Sequence, residues 1–158
     1  MMVHATYTEL HLGLLQYVQS IDPNMPMQVR GTPQQSLAEL DEWIVFDILS
    51  MVDGPCRRHT IEKYIDVQII CYSKHGVHRK DNKFNAVYEL CDKYAKAFHS
   101  KDLMIKSTCI SFKENRIVPL DLRSTGDFAK SQVNALPPLH TMSMVILNQG
   151  TINSYTEG

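Results

Sequence analysis

The chain has 158 residues, of which 44% are hydrophobic and 21% charged, and its net charge at pH 7 is −1. Those values suit one globular domain with a core of useful size. They exclude the bulk polyelectrolyte character of a chain that holds nucleic acid or an anionic membrane by net charge alone, and no window reaches the ~18 apolar residues needed to span a bilayer.

The charge is uneven along the chain. Residues 1–53 carry one basic residue, Arg30, against seven acidic ones, whereas residues 54–158 carry fifteen basic and ten acidic residues. Folding can intermix these charges, or it can leave a protomer with an acidic and a basic side that packs head-to-tail around a ring. Cys56, Cys71, Cys91 and Cys109 show no CxxC and no zinc-ligand spacing. Three of them sit inside apolar patterns, as buried free thiols do. Met1–Glu9 lacks the basic start and apolar run of a secretory leader, so folding in a reducing cytoplasm is expected.

In chain order, residues 5–21 read as a helix. Tyr7, Leu10, Leu14, Tyr17 and Ile21 recur at spacings of three and four, and Asp22-Pro23 ends the period. Residues 22–42, with three prolines and an acidic cluster, read as a loop, with at most a helical turn at Ser36–Leu40. "WIVFDILSM", residues 43–51, has the length and composition of a strand. Asp53-Gly54-Pro55 then predicts a turn. Residues 60–73 alternate with period two, and their length predicts a long hairpin partner or an arm beyond the sheet.

Residues 83–99 read as a second helix with Phe84, Val87, Cys91, Tyr94 and Phe98 on one face and a cap at Asp81 or Asn82. Strands are predicted at 103–112, 116–122 and 139–147, a loop at 123–138, and a flexible end over the last ten residues. The order α-β-β-α-β-β-β predicts one α+β domain over residues 1–158, with a mostly antiparallel sheet and helices on one face.

Motifs of chemistry are sparse. "SKHGVHRKDNKF", residues 73–84, places His75 and His78 three apart among Lys74, Arg79, Lys80 and Lys83. A metal site needs three or four converging ligands, and no acidic or cysteine partner is near. A helix N-terminus favours anions, but the only glycine here is Gly76 and no phosphate cradle is formed. The segment reads as a basic strand-to-helix connection, either simply solvated or facing DNA or an acidic protein surface. Cys56 with His59 is the nearest approach to a nucleophile and base, and Asp47 and Asp66 to a carboxylate pair across neighbouring strands. None of these makes a catalytic constellation. No catalytic residue, metal or cofactor follows from the pattern.

One pattern has a wider likeness. A helix opens the chain and a long loop leads to "WIVFDIL". An arginine turn and alternation follow in "CRRHTIEKYIDVQIICYSK", and then a helix, "KFNAVYELCDKYAKAFHSKDL", runs into the next strand. With Arg57 or Arg58, the alternation from Ile61, and Ala86, Leu90, Cys91, Asp92 and Phe98, residues 43–110 resemble the tail terminator and neck proteins of long-tailed bacteriophages. His59-Thr60 stands where that family often has glycine, and the loop at 22–42 is long.

The resemblance implies a structural virion protein without enzymatic activity, assembled in the host cytoplasm. It implies a ring, hexameric in that family, that caps the tail tube, ends its polymerisation and presents a docking surface to the head-neck connector. DNA would pass through the lumen without sequence-specific binding, and no membrane is involved. The interface expected from it involves Arg30, Glu39, Asp41, Glu42, Arg57, Arg58, Lys74, His75, His78, Arg79, Lys80, Arg116 and Arg123, and the loops at 22–42 and 123–138 are expected to order or shift on assembly. The alternatives are a head-completion or neck connector component, a nucleic-acid-binding α+β module, and a small enzyme.

Overall fold

A computed structural model describes residues 5–29, 40–57, 60–74, 85–106, 108–119 and 142–155. The fold is α+β. Helix α1 spans Tyr7–Ile21 and α2 spans Ala86–Phe98. The strands are β1 (Met27–Val29), β2 (Glu42–Arg57), β3 (Thr60–Ser73), β4 (Asp102–Ile105), β5 (Thr108–Phe112), β6 (Arg116–Pro119) and β7 (Met142–Tyr155).

They form one sheet in the order β1-β2-β3-β7-β5-β4, with β6 also on β7. All pairs are antiparallel except β1 with β2. β5 and β6 lie end to end along the same edge of β7. Ile110–Phe112 face Ile152–Gly150, and Arg116–Pro119 face Leu147–Met144, one residue out of step.

Local chemistry accounts for the elements. Thr6 caps α1 through a reciprocal box, its hydroxyl accepting from the Glu9 amide while the Glu9 carboxylate accepts from the Thr6 amide. Leu10, Leu14 and Val18 form the buried stripe. On β3, Ile65, Val67, Ile69 and Cys71 point to the helix side and join Phe46, Leu90, Tyr94, Phe98, Ile110 and Ile146 in the main core. Each such aliphatic contributes about 1.5–3 kcal/mol on burial. The Tyr17 hydroxyl donates to the Ala97 carbonyl at 2.5 Å and ties the helices together. Trp43, Ile70, Tyr72 and Val145 form a second buried cluster on the opposite sheet face, and neither helix contributes to it.

Several boundaries depart from the sequence expectations. Asp53-Gly54-Pro55 is no turn. β2 continues through it to Arg57 with a register shift between Asp53 and Cys56, and the chain reverses between Arg57 and Thr60. Cross-strand pairing along β3 overrides the local breaker signal, and a bulge absorbs it. The 22–42 stretch contains β1, paired with Ile44–Phe46. Residues 103–112 form a hairpin, β4 to β5, reversed beside Lys106 at φ 54°. β7 continues to Tyr155, because β3 supplies a partner along its whole length. Asn85 precedes α2 with no side-chain cap bond, and Asp81 and Asn82 lie outside the described residues, as do Ser36–Glu39 and the 123–138 segment.

Candidate interface surfaces

Three of the expected interface residues meet at one end of the β2–β3 hairpin. Asp41 is exposed, and its carbonyl accepts from the Lys74 amide at 2.8 Å, closing the hairpin end. Glu42 is paired with Ser73, and Trp43 with Tyr72. The Trp43 and Tyr72 rings stack, with centroids 5.1 Å apart and planes 14° apart. Lys74 is buried, with Nζ 5.6 Å from the Trp43 centroid, a cation–π contact. The flat aromatic pair thus takes up the Lys74 charge, which sequence alone places in a solvated basic loop. Burial pushes the Tyr72 hydroxyl up to about 12.

The other described candidates lie apart from these. Arg57 ends β2 opposite Thr60, on the order of 45 Å along the hairpin from Asp41 at about 3.3 Å per residue. Arg116 is exposed at the start of β6 and faces Leu147 across the pair with β7. Arg30, Glu39, Arg58, His75, His78, Arg79, Lys80 and Arg123 lie outside the described residues, and so does His59, the partner weighed for Cys56.

Sequence reasoning did not find the groove beside Arg116. It is open and is lined by Leu49, Asp66, Lys113, Glu114, Arg116, Leu147, Asn148 and Gln149, among others. At its back the Asn115 side-chain amide donates to the Asn148 Oδ1, and Asn115 Oδ1 lies 3.2 Å from His99 Nδ1. Asn148 is fully buried, and its Nδ2 meets no partner among the described residues. The available signal was a polar residue at a core-facing position of an apolar alternating strand. Asp66 accepts a 2.8 Å hydrogen bond from Ser50. Asp47 pairs with Gln68 in register, so the two aspartates do not stand opposite one another.

The charges of the first third are partly intermixed. Lys106 lies 2.5 Å from Glu9, and Lys93 lies 3.0 Å from Asp22. These hydrogen bonds hold both carboxyls below the usual range. Cys71 and Cys91 are free and buried in the main core. Their mutual hydrogen bond, followed by burial, pushes the Cys71 thiol up. Among the described residues no three His, Cys, Asp or Glu side chains could hold a metal ion together, and no helix is long and apolar enough to cross a membrane.

No family model and no curated protein matches the chain. Solved structures do. The chain is similar over 99% of its length to the sheath/tube terminator of an extracellular contractile injection system, seen by cryo-electron microscopy in the extended state, with a TM-score of 0.54 and 10% identity. It spans 59% of that terminator chain. A second solved structure, with no functional description, matches 98% of this chain and 100% of its own, with a TM-score of 0.57 and 8% identity. The likeness is one of fold: a mostly antiparallel sheet with two helices on one face, similar to that of a sheath/tube terminator.

Proposed function

We propose that this chain is a structural protein that caps the tube of a tail-like assembly and ends its polymerisation. The observation that carries this reading is the fold likeness to a sheath/tube terminator over 99% of the chain. The resemblance of residues 43–110 to phage tail terminators points the same way and extends the reading. The chain forms a ring, hexameric in the simplest case, that meets tube protein on one side and a head-neck connector on the other. DNA passes through its lumen without sequence-specific binding, since strong phosphate contacts would stop it sliding. The ring assembles in the host cytoplasm and ends in the virion tail. Asp41, Glu42, Arg57 and Arg116 belong to its contact surfaces, together with the candidates outside the described residues, and the stretches 22–42 and 123–138 order or shift on assembly.

Light scattering across a concentration series, with and without tail tubes that lack a cap, tests this. A discrete species of about six protomers, or a monomer that gains that mass on tube ends and halts their growth, is expected. A monomer at every concentration that ignores tubes and binds DNA with a steep salt dependence would instead identify a nucleic-acid-binding module.

A further inference from the structure

The two lateral margins of the sheet share an unusual feature. Soluble proteins normally blunt edge strands with charge, bulges or cover. Among the described residues β1 pairs with Ile44–Phe46 alone, and further along β2, beside its register shifts, Leu49 is 46% and Val52 55% exposed. At the opposite margin, on β4, Met104 is 63% exposed. Val52 pairs with Tyr64, and Met104 with Cys109. Ile65, Ile105 and Ile110, their neighbours in the alternation, all point into the main core. Val52 and Met104 therefore project from the same, helix-free face of the sheet.

Strand direction adds a geometric condition. From β2 to β4 the sheet makes four antiparallel steps, through β3, β7 and β5, so β2 and β4 run the same way. Copies related by rotation about one axis meet with strand direction and sheet face both preserved. The β4 margin of one copy can then continue into the β2 margin of the next as a parallel pair, without inverting the protomer. Such a contact is heterologous, and it closes into a ring where the rotation between copies is a whole fraction of a turn.

We propose that the copies of this chain join head-to-tail by parallel pairing of the β2 margin around Leu49–Asp53 with the β4 margin, Asp102–Ile105, of the next copy, with Val52 against Met104. This deepens the ring reading and rests on it. Main-chain bonds across the margins supply affinity, and the apolar pair sets the register.

The test uses two full-length variants, Val52→Glu and Met104→Glu, each spoiling one margin. Both positions are exposed, so melting temperatures should stay near that of the parent chain; Val52→Ser and Met104→Ser replace any variant that fails to fold. With tail tubes present, each variant alone should lose the ring and remain monomeric. An equal mixture should give a 1:1 dimer and nothing larger, because only one good contact is left in the pair. A ring formed by either variant alone, or a mixture that stays monomeric, overturns the proposal while the capping function stands. A parent chain that never assembles, even on tubes, overturns the ring reading and this inference with it.

Discussion

Trp43 shows how a single residue closes a sheet face that no described helix covers. It is fully buried, stacked on Tyr72 and capped by the Lys74 ammonium. Trp43→Ala removes both contacts and leaves a cavity at the hairpin end, so a loss of about 3–5 kcal/mol is expected in urea unfolding followed by circular dichroism. A loss below ~1 kcal/mol would show that the cluster collapses around the gap. The same burial has a pH signature. The Tyr72 hydroxyl titrates near 12 in the fold and near 10 in the unfolded chain. Above pH ~10 the unfolded state therefore binds fewer protons, and stability falls as pH rises towards 12. The contribution, about 2–3 kcal/mol, is complete below pH ~10 and gone above the folded value. Tyr94 shifts in the same direction, also chiefly through burial. Unfolding midpoints measured from pH 8 to 11 should fall less steeply for Tyr72→Phe than for the parent; identical slopes would refute the assignment.

At the scale of elements, β7 organises the sheet. It pairs with β3 along fourteen residues and holds β5 and β6 in succession on its other edge. The junction depends on Gly150, where a Cβ would lie 2.7 Å from Ile110 Cγ2 and 2.9 Å from Phe112 Cε1. Both neighbours are buried core side chains and have little room to yield. Gly150→Ala should cost about 1–3 kcal/mol by overpacking, although alanine would be the better strand residue. Gly13 makes the parallel case on α1, its Cβ position 2.6 Å from Ile105 Cγ2. There the ~1 kcal/mol gained in helix propensity works against the clash, so Gly13→Ala should be milder than Gly150→Ala. Thermal melts of the two variants side by side would show the order, and a reversed order would mean that Ile105 is the harder wall.

At the scale of the whole molecule, the sheet has one covered face, one face with a small aromatic cluster, and two margins that carry exposed apolar side chains. A monomer gains nothing from such margins and risks aggregation, whereas a closed ring of the proposed kind would bring them together. If copies assemble in this way, amide hydrogen exchange should slow on assembly at residues 49–53 and 102–105, while core amides of β3, already protected within the sheet, change little. Unchanged exchange at both margins in an assembled ring would place the protomer contact elsewhere.

Both helices, the long β2–β3 hairpin, the α+β class and the free, buried state of Cys71 and Cys91, though not the burial of Cys109, were legible in the sequence, because each rests on local periodicity: three-to-four spacing for Tyr7–Ile21, period two for Ile61–Tyr72. The tertiary structure alone decided the rest. Gly54-Pro55 became a bulge because β3 pairs across it, and residues 149–155 became strand because a partner was waiting. Lys74 turned inward because Trp43 and Tyr72, adjacent only through the hairpin register, offered it an aromatic face. Val52 and Met104 are more than fifty residues apart in the chain. They share a face because the registers through β3, β7 and β5 carry the alternation from one margin to the other, a relation that pairing between distant segments creates and local sequence does not encode.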